Sequence, residues 1–289
     1  MTYRSMVTEG GRVLAAAGVP EAELDAWYLL EYLRKERGER SDRQWYLLNR
    51  EDEARAEEEN AYQELIERRA KRIPLQQITG EQEFMGLSFR VNEHVLIPRQ
   101  DTETLVEEAM GKVKSGDQVL DMCTGSGCIL LSLLKLVPGL TGTGADISGE
   151  ALKVAVENGK RLQTEASFLE SDLFEKVEES FDLIVSNPPY IASEEIPTLM
   201  EEVRDHEPIG ALDGSADGLE FYRRLVREGK KHVKPGGWML FEIGCTQAEA
   251  VMELLKNGGF LDVYVKKDLA GLDRVVGGRR PKQEERNDV

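Results

Sequence analysis

From the N-terminus to about residue 75, apolar side chains recur at helical spacing. Val19-Pro20-Glu21 places a proline and an acid where a helix starts, and Leu24, Trp27, Tyr28 and the stretch Leu30–Leu33 follow as its apolar positions. Gly38 interrupts the pattern. Ser41-Asp42 then supplies a cap for a second helix carrying Trp45, Leu47 and Leu48. The charge-dense run from Glu51 to Arg72 keeps Ala61, Tyr62, Leu65 and Ile66 as its stripe and reads as a solvated helix face. Between residues 76 and 97 the pattern changes. Phe84, Leu87, Phe89, Val91, Val95 and Ile97 are apolar or β-prone, with turn signals at Gly80, Gly86 and Asn92-Glu93, which predicts a β-hairpin. From Gln118 onward short apolar runs alternate with helical stretches. Strands are expected at 118–121, 142–147, 167–172, 181–186, 238–243, 262–266 and 274–277, with helices around 127–137, 148–162 and 218–233. That alternation calls for a mostly parallel sheet covered by helices on both faces. The closeness of the last two runs adds a final antiparallel hairpin. The tail from Arg279 to Val289 is polar and expected to fray.

The expected organisation is therefore a helical domain over residues 1–75, a β-hairpin linker over 76–97 and an α/β domain over 98–289. A chain of 289 residues is long for one small core, which agrees with two domains. It has no apolar run long enough for a membrane span and no apolar signal-peptide core at Met1–Gly10, so the expected location is the cytoplasm. Three cysteines, Cys123, Cys128 and Cys245, are too few and too odd in number for a disulfide framework. Three histidines leave Cys123 and Cys128 without the partners of a metal site, so no metal is expected. The net charge is −17, from 37 basic and 54 acidic residues, which argues against free nucleic acid as the main partner.

Three elements carry chemistry. The first is Asp121-Met122-Cys123-Thr124-Gly125-Ser126-Gly127, a strand end running into a Gly-rich turn and then a helix. Glycines there let backbone approach a ligand, and the helix start offers free N–H groups. Only Gly125-x-Gly127 is present, short of a full dinucleotide fingerprint. The second is Asp146, at the next strand end, 25 residues beyond Asp121. An acid at that place can accept from both hydroxyls of a ribose; the competing role is to cap the helix at Ser148-Gly149-Glu150. Asp172, after the third strand, is placed either to reach an adenine amino group or to stand as a loop acid. The third is Asn187-Pro188-Pro189-Tyr190, projecting from the carboxyl end of the strand Phe181–Ser186. Consecutive prolines donate no backbone N–H and hold the chain extended. The Asn187 side-chain oxygen and the Pro188 carbonyl then become rigid acceptors for the two donors of a planar –NH₂ group, with Tyr190 as an aromatic wall.

With these three elements the chain resembles amino-group methyltransferases. Further stretches narrow the likeness: Gln77-Ile78-Thr79-Gly80-Glu81 with Phe84-Met85-Gly86, Val95-Leu96-Ile97-Pro98-Arg99 with Asp101-Thr102-Glu103, and Asp268-Leu269-Ala270-Gly271 with Asp273-Arg274. Over residues 75–280 it resembles the release-factor glutamine N5-methyltransferases, the PrmC/HemK family. The resemblance implies a Rossmann-like class I methyltransferase sheet with an antiparallel last hairpin and a small N-terminal helical domain that docks substrate. It implies S-adenosylmethionine as cofactor and, as protein partner, class I peptide-chain release factors methylated on the glutamine of a Gly-Gly-Gln motif. It assigns Cys123, Thr124, Gly125, Ser126 and Gly127 to the methionine side of the cofactor and Asp146 to its ribose, with Asp172, Leu173 and Asn187 completing that set. Asn187, Pro188, Pro189 and Tyr190 hold and methylate the glutamine amide, with Arg99 and Thr102 lining the site. Two positions depart from the family: Gln100 stands where proline is common, and Leu173 where some members carry tryptophan.

An exocyclic-amine DNA or RNA methyltransferase poses the same geometric problem to an Asn-Pro-Pro-aromatic segment, but the acidic charge and lack of a basic module count against it. A glutamine methyltransferase for a ribosomal protein is a nearer rival; its relatives lack the full Ile-Pro-Arg-x-Asp-Thr-Glu pattern. A helical interaction module fused to a degenerate cofactor domain is the non-enzymatic alternative, against which the intact Asn187–Tyr190 segment stands.

Overall fold

The computed structural model describes residues 1–282. Helices α1 (Tyr3–Ala16), α2 (Ala22–Glu36), α3 (Arg43–Asn49), α4 (Ala56–Ala70) and α5 (Leu75–Thr79) come first, followed by the strands β1 (Glu81–Phe84) and β2 (Leu87–Arg90). Then come α6 (Glu103–Met110), β3 (Gln118–Met122), α7 (Cys128–Leu136), β4 (Thr141–Asp146), α8 (Gly149–Leu162), β5 (Ser167–Glu170) and β6 (Phe181–Ser186). The remainder is α9 (Glu201–Arg204), α10 (Glu220–Gly229), β7 (Val233–Glu242), α11 (Ala248–Asn257), β8 (Leu261–Lys267) and β9 (Asp273–Arg279). No described helix is long and apolar enough to cross a membrane.

The chain divides into two compact units, Met1–Gly80 with Met200–His206, and Glu81–Leu199 with Glu207–Val289. The helical part thus ends at Gly80. The hairpin β1–β2 counts with the second unit, where Phe84 and Phe89 join one of the sheet's cores, instead of forming a segment of its own over 76–97.

The first unit is built on α1, α2 and α4. Leu14, Ala26, Leu29, Leu30, Leu33, Tyr62 and Ile66 form its core. Leu24 and Tyr28, expected on the buried stripe of α2, are exposed, because the stripe runs through Ala22, Ala26, Leu29, Leu30 and Leu33. The Asp42 side chain caps α3 as expected, accepting from the Trp45 N–H at 2.8 Å, yet Leu47 and Leu48 face outward. Glu58 is fully buried and is held by Arg34 at 2.7 Å and the Tyr3 hydroxyl at 2.9 Å. Glu202 in α9 is likewise buried, taking Arg69 at 3.0 Å and Arg72 at 2.7 Å, and Arg69 also reaches Asp25 at 2.7 Å. Buried carboxylates need such pairing, since an unpaired charge out of water costs several kcal/mol.

The second unit carries a seven-stranded sheet in the order β5-β4-β3-β6-β7-β9-β8. All neighbouring pairs are parallel except those made by β9, which runs antiparallel to both β7 and β8. Alternation along the strands sends Val119, Leu183, Val185, Leu240 and Val275 to one face, beneath α6 and α7. Leu120, Met122, Ile184, Met239, Phe241 and Val276 go to the other face, beneath α10 and α11. Burial on both faces is why these strands read as continuous apolar runs. Arg279, expected in a frayed tail, closes β9, while residues 283–289 lie outside the described residues. Chain order reverses at β3, which has β4 on one side and β6 on the other, and ligands of open α/β sheets bind outside the strand ends at such a point.

Candidate active site

Strand register sets the three chemical elements at one level. Met122 pairs with Ala145 of β4 and with Ser186 of β6, so Cys123, Asp146 and Asn187 leave or end their strands together at the carboxyl edge. The Ser186 hydroxyl donates to the Met122 carbonyl at 2.6 Å and ties two of these ends.

The β3–α7 turn holds Cys123, Gly125 and Gly127 at φ 62°, 55° and 78°. Gly127 caps α7 in a backbone conformation that favours glycine, and a Cβ there would press against Leu131 at 3.1 Å and Ala155 at 3.2 Å. Gly125 faces open space, with nothing within 4 Å of where a Cβ would stand. The turn is braced from below by Asp121, whose Oδ2 accepts from the Thr124 hydroxyl at 2.6 Å and the Leu130 N–H at 3.3 Å. Asp121 is fully buried, and that burial pushes its carboxyl up to about 7 against the pull of those two donors. Burial also pushes the Cys128 thiol up to about 12, and the Cys123 thiol higher still.

Asp146 turns both oxygens to the backbone: Oδ2 accepts from the Gly125 N–H and Oδ1 from the Ser148 N–H, each at 2.9 Å. Ser148, not Asp146, caps α8, its hydroxyl accepting from the Ala151 N–H at 3.1 Å. Burial raises the Asp146 carboxyl while these N–H groups lower it. Each oxygen keeps a second lone pair for a ligand hydroxyl. Asp172 reaches the same cavity, with its Oδ1 held by Arg224 at 3.0 Å. Leu173 follows it, buried and at φ 45°.

At the end of β6 the Asn187 Nδ2 donates toward the Thr102 hydroxyl at 3.4 Å. The backbone after it is clamped. The Tyr190 carbonyl accepts from the Gln247 side chain at 2.9 Å, and a Cβ on Gly214 or Gly218 would collide with Tyr190 backbone at 2.8 and 2.3 Å. The Tyr190 ring packs against the core, where burial lifts its hydroxyl to about 12. Arg99 binds the buried Glu207 at 2.6 Å, and burial raises that carboxyl.

These residues surround a cavity of about 500 Å³, within the range of small-molecule sites. Arg99, Thr102, Cys123, Thr124, Gly125, Ser126, Asp146, Asp172, Leu173, Asn187 and Pro189 line it; Gly127, Pro188 and Tyr190 are not among its lining residues. Sequence reading passed over Asp121 as a brace, Glu207 as the partner of Arg99, and the buried Glu242 at the end of β7. Glu242 carries the signal that pointed to Asp121 and Asp146, an acid at the end of an apolar strand.

Sheet order, switch point and cavity define a Rossmann-like methyltransferase. The same fold occurs in the crystal structure of a methyltransferase from Pyrococcus furiosus, with a TM-score of 0.54 at 17% identity, covering 74% of this chain and 98% of that one. Residues 100–204 match the methyltransferase small domain and residues 5–80 the PrmC N-terminal domain. The release factor glutamine methyltransferase of Geobacter sulfurreducens is 43% identical over 96% of this chain and 96% of its own length. That of Clostridium acetobutylicum is 43% identical over 87% and 89%. The chain belongs to the release factor glutamine methyltransferase family.

Proposed function

We propose that this protein transfers the methyl group of S-adenosylmethionine to the side-chain amide nitrogen of the glutamine in the Gly-Gly-Gln motif of class I peptide-chain release factors. The observation that carries the reading is one cavity with two kinds of wall. One wall is the Cys123–Ser126 turn with Asp146, and the other is Asn187 with Arg99 and Thr102. The first wall fits the cofactor: open space before Gly125 admits its methionine portion, and the Asp146 oxygens have lone pairs left for ribose hydroxyls. Asp172 and Leu173 extend that wall toward the base. When bound, the cofactor supplies a methyl already activated on a sulfonium.

The chain's own task is alignment. An amide nitrogen is a weak nucleophile because its lone pair is delocalised. The Asn187 side-chain oxygen and the Pro188 carbonyl accept from its two N–H groups and fix it in line with the methyl, favouring the pyramidal nitrogen as charge develops; one of those two N–H protons then leaves to solvent, so the product amide is neutral. Pro189 and the clamped Tyr190 keep those acceptors from moving. This reading puts the enzyme in the cytoplasm, where release factors act.

Asn187→Ala tests the assignment. Transfer to purified release factor, read by mass spectrometry of the Gly-Gly-Gln peptide, should fall about 100- to 1,000-fold, the usual worth of a positioning contact of this kind. S-adenosylhomocysteine affinity should stay close to the parent value. Near-normal turnover would sink the role of Asn187. A wild-type enzyme that methylated DNA or RNA and ignored the factor would sink the function.

A further inference from the structure

Glu242 ends β7, directly after the apolar run Trp238–Phe241. The β6–β7 register pairs Ser186 with Phe241, so the next residues, Asn187 and Glu242, come off the sheet side by side. Glu242 is 2% exposed, and its Oε2 has no hydrogen-bond partner among the described residues. Thr102 and Asn187 stand beside this carboxyl and favour its charged form. Thr102 also receives the Asn187 Nδ2 at 3.4 Å, so hydroxyl, amide and carboxyl form one group.

Other groups face Glu242 from the surrounding elements. Arg274 of β9 acts on it by charge and is itself bound to Asp268 at 3.1 Å and Asp101 at 3.0 Å. The Tyr222 hydroxyl of α10 donates to its backbone carbonyl at 2.8 Å. Tyr190 and Cys128 feel its charge. Glu242 is not among the residues lining the cavity, so it is not placed to take the amide proton itself.

The need it meets is different. A primary amide side chain has nearly the same shape when turned over, but its two ends have opposite hydrogen-bonding sense. Only the Asn187 oxygen can accept from a substrate –NH₂; its nitrogen would set donor against donor. An ionised carboxylate accepts only, so it selects the nitrogen end of Asn187 and leaves the oxygen end for substrate. Thr102 fits between them: its hydroxyl accepts from Asn187 at 3.4 Å and keeps its own proton to offer the carboxylate.

We infer that Glu242 is a positioning residue that, with Thr102, holds the Asn187 side chain with its oxygen toward the substrate amide nitrogen. The inference rests on the role given to Asn187 above and deepens it.

Burial pushes the Glu242 carboxyl up to about 7, offset by Thr102, Arg274 and Asn187. Above that pH it is an acceptor; below it, the protonated group donates, and the selection between the two ends of Asn187 is lost. With both substrates saturating, kcat should fall as pH drops through about 7. Burial also lifts the Asp121 carboxyl to about 7, but that group braces the β3–α7 turn, so its protonation reads out in cofactor affinity instead.

The test is Glu242→Gln in the full chain, beside wild type and Asn187→Ala, from pH 5.5 to 8.5. Glutamine keeps the shape but offers donor and acceptor alike. The expected result is a kcat about tenfold lower at pH 8, the worth of roughly one net hydrogen bond. The acid limb should be lost, with S-adenosylhomocysteine affinity within about twofold of the parent; Glu242→Asp should recover part of both kcat and limb. Wild-type kcat and an unchanged limb in Glu242→Gln, with Asn187→Ala inactive, would overturn the inference alone. Near-normal Asn187→Ala would overturn the reading beneath it. Should Glu242→Gln fail to fold, Thr102→Val decides: the inference expects a lower kcat with S-adenosylhomocysteine affinity close to wild type, and a wild-type kcat contradicts it.

Discussion

Asp146 shows how one side chain does two jobs. It fastens Gly125 and Ser148 by their N–H groups and presents its remaining lone pairs to the cavity. Asp146→Ala removes both, so it should weaken S-adenosylmethionine and S-adenosylhomocysteine alike, since ribose is common to them and the sulfonium charge is not. Hydrogen bonds to a charged acceptor are worth about 1.5–3 kcal/mol, which is roughly tenfold or more in affinity. Calorimetry finding both ligands bound as tightly as by wild type would remove Asp146 from the ribose. At this scale the sequence was most legible where chemistry is local. Asp146, Asn187 and the glycines of the β3–α7 turn stand out by residue type at a strand end. Glu242 and Glu207 did not, because their meaning lies in partners. Glu242 lies 55 residues beyond Asn187, and only the β6–β7 register brings them together. Arg99 and Glu207 are a still more distant pair, 108 residues apart, joined at 2.6 Å.

Elements follow the same logic. All seven strands of the sheet fall within a few residues of their apolar runs, β7 starting earliest relative to its run, at Val233. A strand buried on both faces must be apolar throughout, so its sequence announces it. Helices α6 and α11 were not anticipated. Each is short, at 8 and 10 residues, and neither has a side-chain cap, so only Leu105, Val106 and Ala109 in one, and Ala248, Val251 and Leu255 in the other, mark a buried face. By contrast α8 has both a cap and a face, and its cap separates two readings of the β4–α8 turn. Ser148→Ala should lower the unfolding free energy by about 1 kcal/mol, as loss of an N-cap does, measured by urea denaturation at fixed pH. Because the Ser148 hydroxyl already serves the Ala151 N–H, a silent Ser148→Ala would mean that α8 is capped by another group, and Asp146 would be the first candidate.

On the scale of the whole chain, the pocket sees one small amide and cannot choose among the many glutamines of a cell. That selection needs further surface, and we assign it to the helical unit Met1–Gly80 with Met200–His206. Residues 1–75 hold 13 basic against 16 acidic side chains, so most of the net charge of −17 belongs to the rest of the chain. An acidic catalytic part can steer the basic, RNA-facing region of a release factor at low ionic strength, while the nearly neutral helical unit supplies contact. Removing residues 1–80 should therefore reduce kcat/KM for intact release factor far more than for a short Gly-Gly-Gln peptide. The boundary at Gly80 matters for this experiment. The deletion takes away Arg69 and Arg72 and leaves Glu202, buried between them in the intact chain, without its partners. Glu202→Gln in the truncated chain removes that stranded charge, and S-adenosylhomocysteine binding reports whether the catalytic unit is folded. A truncated enzyme that bound the cofactor product normally and methylated intact factor as well as the full chain does would show that recognition resides in the catalytic unit.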